Sequence, residues 1–308
     1  MRKEEFKFKS SNGTDEIRTV RYIPDGEVKA VLQIAHGMVE FIDRYENFAN
    51  FLCDRGYLVT GNDHIGHGGS VKSQDDWGYL GEDGNKHILE DMHILTGITK
   101  EAYPDKPYYL LGHSMGSFFA RDYIGTYGSE LDGAIIMGTG MQNKATLNAG
   151  LAMTKTIATF KGWRYRSAMV NNISLGAYNK PFEPARTPCD WLSKDEEIVD
   201  KYCAEPRNQF VFTVNGYYYL FKELMRLTSE ELIDNIPKDL PILFVSGAED
   251  PVGEATKTVV PIIESFKAHG IKDVKYKFYE NDRHEILNET DKDVVYNDIY
   301  NWLETKEI

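Results

Sequence analysis

Short apolar runs alternate with amphipathic segments along much of the chain, and this alternation limits the possible folds more than any other feature of the sequence. The run at residues 29–35 ends in the turn signal His36-Gly37, as a buried strand does before a loop. The segment 85–103 has apolar residues at helical intervals. Repeated strand–helix units indicate βαβ connections, so we expect an α/β fold with a mostly parallel central sheet flanked by helices.

The predicted strands begin with an antiparallel hairpin at the N-terminus and continue as parallel strands. We expect strands over residues 5–9, 16–23, 29–35, 57–60, 108–111, 131–137, 242–246 and 274–279. We expect helices over residues 44–55, 85–103, 114–127, 146–160, 193–202, 213–227, 254–269 and 290–304. The sequence Ser193-Lys194-Asp195-Glu196 has the form of a capping box and predicts a helix start there.

The alternation stops between residues 139 and 235, where the signals are mainly helical. A segment this long cannot be a simple connection, so it should form a subdomain. We therefore expect a core domain of residues 1–138 and 236–308, with an inserted helical cap, or lid, at 139–235. Ligands bind at the carboxyl edge of such sheets, so the cap is expected to cover an apolar cleft.

The charge and cysteine content exclude several classes of function. The chain has 35 basic and 48 acidic residues, a net charge of −13, which disfavours binding to nucleic acid and to anionic membranes. Three cysteines without a CxxC pair argue against a disulfide framework or a zinc cluster. The charged N-terminus is no signal peptide, and no apolar run is long enough to span a bilayer. We expect a cytoplasmic protein without metal or cofactor.

A GxSxG motif, Gly112-His113-Ser114-Met115-Gly116, follows the predicted strand 108–111 and opens a predicted helix. This is the context of a nucleophile elbow, in which a serine sits on a strained strand-to-helix turn. The two glycines lack a Cβ, so strand and helix can cross closely at this point. The motif predicts Ser114 as a nucleophile.

Serine needs a base to take its proton, and in this arrangement acid and histidine follow the serine in chain order. Only His269 and His284 lie after Ser114, and His284 falls in the loop after the last predicted strand. His269 ends a helix and is expected to be solvated. Asp250, after the strand 242–246, is the expected acid, with the neighbouring Glu249 as the alternative.

Two backbone N–H groups should stabilise the oxyanion that forms when Ser114 attacks an ester. One belongs to Met115, the residue after the nucleophile. The second is expected from the loop after strand 29–35, and we assign it to Met38. His36 in the same loop is expected to be structural.

With these residues placed, the chain resembles a branch of the α/β-hydrolases that contains monoacylglycerol lipases, bacterial lysophospholipase-like enzymes and serine aminopeptidase-like proteins. The resemblance covers nearly the whole chain. It rests on the following segments: His36-Gly37-Met38-Val39-Glu40 with Arg44-Tyr45, similar to HGxGEH…RY; Asp63 to Ser70, similar to DxxGHGxS; the elbow; Gly247 to Asp250; and His284-Glu285. His64 and His67 in the second segment are expected to be structural. Residues 182–192, with Arg186-Thr187 and Asp190-Trp191-Leu192, look like a bacterial subgroup.

Two departures bear on the substrate. The family has glycine at Val39 and histidine at Phe41. Neither position supplies the expected oxyanion donor, so the chemistry should survive while the mouth of the pocket differs.

The resemblance implies a serine hydrolase of carboxylic esters such as monoacylglycerols or lysophospholipids, acting through an acyl-enzyme on Ser114. It implies a small acyl ester as partner and at most transient membrane or micelle contact through the cap. The sequence predicts no particular oligomeric state. An aminopeptidase of the proline iminopeptidase-like type is the alternative enzyme. It would need an acidic site for the substrate's amine, and the available residues are Glu183, Asp190, Glu196 and Glu205. A non-catalytic ligand-binding protein on the same fold is the alternative of another class.

Overall fold

Eight strands form one central sheet in the computed structural model, which describes residues 1–308. The strands are β1 (Arg2–Lys9), β2 (Glu16–Ile23), β3 (Ala30–Ala35), β4 (Tyr57–Asn62), β5 (Tyr108–His113), β6 (Gly133–Met137), β7 (Ile242–Gly247) and β8 (Val274–Tyr279). Their order is β1-β2-β4-β3-β5-β6-β7-β8. Strands β1 and β2 form the expected antiparallel hairpin, β2 is antiparallel to β4, and all other pairs are parallel. The predicted α/β-hydrolase sheet is confirmed.

Helices cover both faces of this sheet, which is why its central strands, β3 to β7, are buried throughout. The core helices are α1 (Glu46–Cys53), α2 (Gly84–Ala102), α3 (Met115–Tyr127), α9 (Val259–Ala268) and α10 (Lys292–Thr305). Side chains of α1 and α10 share one buried cluster with the sheet, and those of α2, α3 and α9 share the other. Neighbouring β3 residues alternate between them, with Val31 in one cluster and Leu32 in the other.

The chain between β6 and β7 is helical. It contains α4 (Lys144–Lys161), α5 (Ala168–Leu175), α6 (Glu196–Ala204), α7 (Val214–Arg226) and α8 (Glu230–Asp234). Helix α4 packs against α7, and α7 also contacts α2 and α3 of the sheet layer. No helix of the chain is long and apolar enough to cross a bilayer.

Two predicted helix starts are wrong. Helix α9 begins at Val259 rather than at residue 254, because Glu254, Ala255 and Thr256 have φ values of +51°, +51° and +70° and cannot continue a right-handed helix. Helix α6 is capped by Asp195, whose carboxylate accepts the N–H groups of two residues that follow it, and not by Ser193. The Ser193 hydroxyl instead donates to Glu289, 2.8 Å away.

Candidate active site

Ser114 stands at the sharp turn between β5 and α3. Its φ of +53° and ψ of −121° are strained for a residue with a side chain. The turn is possible because its flanking glycines leave no room for a side chain. A Cβ on Gly116 would lie 2.0 Å from the Ala35 carbonyl oxygen, and one on Gly112 would lie 2.3 Å from the Gly116 carbonyl oxygen. The serine is therefore presented at the carboxyl end of the sheet and at the N-terminus of α3.

His284 and Asp250 meet on the loops after β8 and β7. The His284 Nδ1–H donates to the Asp250 carboxylate, with both oxygens at 2.9 Å. Asp250 is fully buried and also accepts the Ser246 hydroxyl at 3.2 Å and the Val252 N–H at 2.9 Å. These three donors fix the carboxylate, which in turn leaves the imidazole with one orientation. The structure has no hydrogen bond between Ser114 Oγ and His284 Nε2, although both side chains line the same cavity.

The two alternative residues lie elsewhere. Glu249 is exposed, and the carboxylate bonded to His284 is that of Asp250. His269 lies at the end of α9, where its Nδ1 donates to the Ser265 carbonyl oxygen at 2.7 Å.

The loop after β3 lies against the nucleophile. A Cβ on Gly37 would come within 2.9 Å of the Ser114 Cβ, so the chain passes the serine at this residue only because it is glycine. The N–H groups of Met38 and Met115 donate to no other backbone group. The next residue, Val39, has a φ of +57°, a conformation in which the glycine of the family pattern is unstrained.

A cavity of about 490 Å³ opens over these residues, and 18 of its 28 lining residues are hydrophobic. Ser114, His284, Met38 and Met115 line its floor. Its apolar walls come mainly from the insertion and include Leu147, Met153, Leu220, Phe221 and Leu224. A largely apolar cavity next to a nucleophile suits the transfer of an apolar acyl group.

A buried ionic network lies behind the site, and sequence reasoning assigned it no role. Arg44 forms a bidentate pair with Glu285, both bonds 2.6 Å, and donates to Glu40 at 2.8 Å. Glu40 also accepts the Tyr45 hydroxyl at 2.8 Å and His113 Nδ1–H at 3.1 Å. The Gly37 N–H donates to it as well, which fixes the loop that carries Met38. The only sequence pattern that points to this network is HGxGEH…RY, which contains Glu40, Arg44 and Tyr45.

Neighbouring groups in this network shift the pKa values of Glu40 and His113. Burial by itself raises the pKa of Glu40, but His113 and Arg44 hold it well below the usual range. Burial lowers the pKa of His113, but the carboxylate of Glu40 raises it above its ordinary value. The His113 Nε2–H faces the carbonyl oxygen of His284 at 3.3 Å, so both ring nitrogens have acceptors, as an imidazolium requires.

Three further histidines form a buried cluster below the site. The ring of His36 lies 4.2 Å from that of His64 and 5.2 Å from that of His67. His36 Nε2 accepts the His64 N–H at 2.9 Å, which ties the two loops together. Burial lowers the pKa of all three, in His67 to about 3. No group of side chains in the chain is arranged to hold a metal ion.

Comparison with known proteins places these features in a family. The family model of serine aminopeptidase S33 matches residues 26–291. A monoacylglycerol lipase of Mycolicibacterium smegmatis is 26% identical over 285 residues, covering 92% of this chain and 90% of the relative. A human monoglyceride lipase is 24% identical over 292 residues, covering 91% of this chain and 84% of the relative.

Solved structures resemble the chain over its whole length. A highly thermostable carboxyl esterase from Bacillus coagulans, solved in complex with glycerol, superposes with a TM-score of 0.91. It is 31% identical, and the match covers 99% of this chain and 98% of that one.

Proposed function

The chain belongs to the serine aminopeptidase S33 family of α/β-hydrolases and is a carboxylic ester hydrolase, and from that premise we propose that it cleaves monoacylglycerol- or lysophospholipid-like acyl esters through an acyl-enzyme on Ser114. One observation carries the proposal. A strained serine, a histidine oriented by a buried carboxylate and two free N–H groups line one largely apolar cavity.

In the proposed reaction Ser114 Oγ attacks the ester carbonyl carbon while His284 Nε2 takes the hydroxyl proton. Asp250 keeps the proton on Nδ1 and stabilises the imidazolium. The N–H groups of Met38 and Met115 donate to the oxyanion. The tetrahedral intermediate expels the alcohol, which receives the proton from His284. Water then attacks the acyl-enzyme in the same way, and the fatty acid leaves.

We propose that residues 139–235 act as a cap that binds the acyl chain. Helices α4 and α7 each supply three hydrophobic residues of the apolar wall, while the nucleophile lies on the core. Core residues 1–138 and 236–308 would then perform the chemistry and the cap would select the substrate. Burial of each methylene in such a wall stabilises the complex by about 0.8 kcal/mol.

An ester is favoured over a peptide with a free N-terminus. None of the four acidic residues considered for an amine site lines the cavity. The two carboxylates that do line it, Glu40 and Glu285, are both paired with Arg44. Comparison of a p-nitrophenyl ester with an aminoacyl p-nitroanilide tests this choice, and faster anilide cleavage would contradict it.

One face of the insertion supports transient contact with a lipid surface. Phe160 is 81% exposed, Ile173 65% and Met169 53%. Between residues 144 and 182 the chain has no acidic residue, and its basic residues are Lys144, Lys155, Lys161, Arg164, Arg166 and Lys180. The net charge of this segment is therefore positive, whereas that of the whole chain is negative. Repulsion from an anionic membrane is thus not expected at this face. A cytoplasmic location is part of the same proposal.

The nucleophile is tested with a fluorophosphonate and a p-nitrophenyl ester. Ser114→Ala should lose the label and about 10⁶ in kcat, because only oxyanion and binding contributions remain. Ser129→Ala, at an exposed serine that does not line the cavity, serves as the matched control and should label normally. A Ser114→Ala protein with activity within tenfold of the wild type would contradict the proposal.

A further inference from the structure

Several hydrogen bonds attach the loop that carries His284 to one short segment of the insertion, Asp190–Lys194. The Glu285 N–H donates to the Leu192 carbonyl oxygen at 2.7 Å. Arg283 Nη1 donates to the carbonyl oxygens of Asp190, at 2.5 Å, and Ser193, at 3.1 Å. These bonds join two segments that are about ninety residues apart in the chain.

Side chains on both sides of these backbone bonds add further connections. Lys194 forms ion pairs with Asp282 and, at 2.9 Å, with Asp291. The Ser193 hydroxyl and the Lys194 N–H both donate to Glu289, at 2.8 and 3.0 Å. Asp282 and Glu289 are fully buried, and loss of Lys194 would leave the Asp282 carboxyl group in the interior without its ion pair.

The centre of this segment touches the imidazole itself. The Trp191 ring lies 5.0 Å from the His284 ring, tilted by 38°, and lines the cavity. The His113 ring lies on His284 at 4.7 Å. The imidazole thus contacts two aromatic rings while Asp250 binds its Nδ1.

We propose that Asp190–Lys194 is a positioning clamp for the catalytic base, with Trp191 as the residue that holds the His284 ring in line with Ser114. The proposal rests on the proposed function, since it assumes that His284 is the base. Two effects follow. The indole prevents rotation of the ring, and a misplacement of about 1 Å can cost about 10² in rate. The indole is also near enough to favour the imidazolium that forms when Ser114 loses its proton, since cations within about 6 Å of an indole are attracted to its face.

The clamp divides the insertion into two functional parts. The segment at residues 190–194 is bonded to the core, whereas α4 and α5 carry the exposed apolar face. A change at Trp191 should therefore affect the reactivity of Ser114, and not only the binding of the acyl chain.

The test measures reactivity without an acyl chain. The rate of inactivation by diethyl p-nitrophenyl phosphate is determined together with kcat and KM for p-nitrophenyl acetate. Trp191→Leu should lower the inactivation rate and kcat by about tenfold or more, with KM changed by less than about threefold. Trp191→Phe, which keeps a flat ring, should recover most of the rate. Trp77→Leu is the matched control, because Trp77 contacts Phe210 of the insertion outside the cavity, and it should react like the wild type.

These outcomes distinguish a Trp191 that positions His284 from one that only lines the cavity. If Trp191→Leu is inactivated within twofold of the wild-type rate and changes only KM for a long-chain ester, the clamp is refuted. Should that variant not fold, as judged by thermal unfolding, Ser193→Ala replaces it, because it removes the bond to Glu289 without touching the cavity. An unchanged inactivation rate in Ser193→Ala then refutes the clamp. A wild-type protein that neither hydrolyses acetate nor reacts with the phosphate would instead refute the proposed function.

Discussion

At the scale of single residues, the site depends on a buried carboxylate whose oxygens both accept hydrogen bonds. Asp250 is 0% exposed and is tolerated because Ser246, Val252 and His284 all donate to it. Its neighbour Glu249 is solvated and has no such donors. Of these two neighbouring carboxylates, only Asp250 can therefore orient the His284 imidazole.

Asp250→Asn should lower kcat for a p-nitrophenyl ester by about 10⁴, because the amide stabilises the wrong imidazole tautomer. Glu249→Gln should stay within about twofold of the wild type. Steady-state kinetics of the two variants, with circular dichroism to check folding, make the comparison. A larger loss in Glu249→Gln than in Asp250→Asn would move the acid to Glu249.

At the scale of elements, the loops after β3 and β4 hold each other through buried neutral histidines. His64 has both ring nitrogens without a partner, and His67 has one. The His67 ring packs against Phe212 at 5.3 Å. Burial outweighs the attraction of the Glu40 carboxylate for an added proton in all three histidines of this cluster, which is why their pKa values are lowered.

These shifts predict a loss of stability in acid. The pKa of His67 is lowered to about 3 in the folded chain and is about 6.5 when unfolded, so its contribution is present above pH 6.5 and is lost as the pH falls. Between pH 6.5 and 5 the wild type should lose about 1.5 kcal/mol more of its free energy of unfolding than His67→Phe does. Urea unfolding of both proteins at each pH measures this, with His269→Gln as the control. Parallel curves for wild type and His67→Phe would show that His67 carries no such linkage.

At the scale of the whole molecule, an apolar cavity lies between a core that carries the nucleophile and an insertion that supplies the wall. If the wall binds an acyl chain, kcat/KM should rise about threefold to fourfold per methylene until the cavity is full. The series from p-nitrophenyl acetate to laurate, below micelle concentrations, measures the slope. Phe221→Ala, which removes part of the wall, should move the plateau to longer chains. A flat series, or a preference for acetate in both proteins, would rule out acyl binding by the cap.

Features that depend on adjacent residues were readable from the sequence. The apolar runs gave the strands, because a strand buried on both faces leaves few positions for polar side chains. The elbow was readable because its strained turn needs Gly112 and Gly116 beside Ser114. Chain order then separated His284 from His269. The catalytic roles of these residues stay predictions until the variants are measured.

Features that depend on partners far apart in the chain were decided only by the tertiary structure. Arg44 and Glu285 are 241 residues apart, and no local pattern shows that they form a buried pair. The same holds for Ser193, which local sequence suggested as a helix cap and which the fold gives to Glu289. A hydroxyl or carboxylate binds whichever donor or acceptor packing brings within 3 Å, and packing depends on the whole chain. The sequence by itself thus determined the strands, most of the helices and the chain order of the reactive side chains, whereas the fold decided the order of the strands in the sheet and which groups hold those side chains in place.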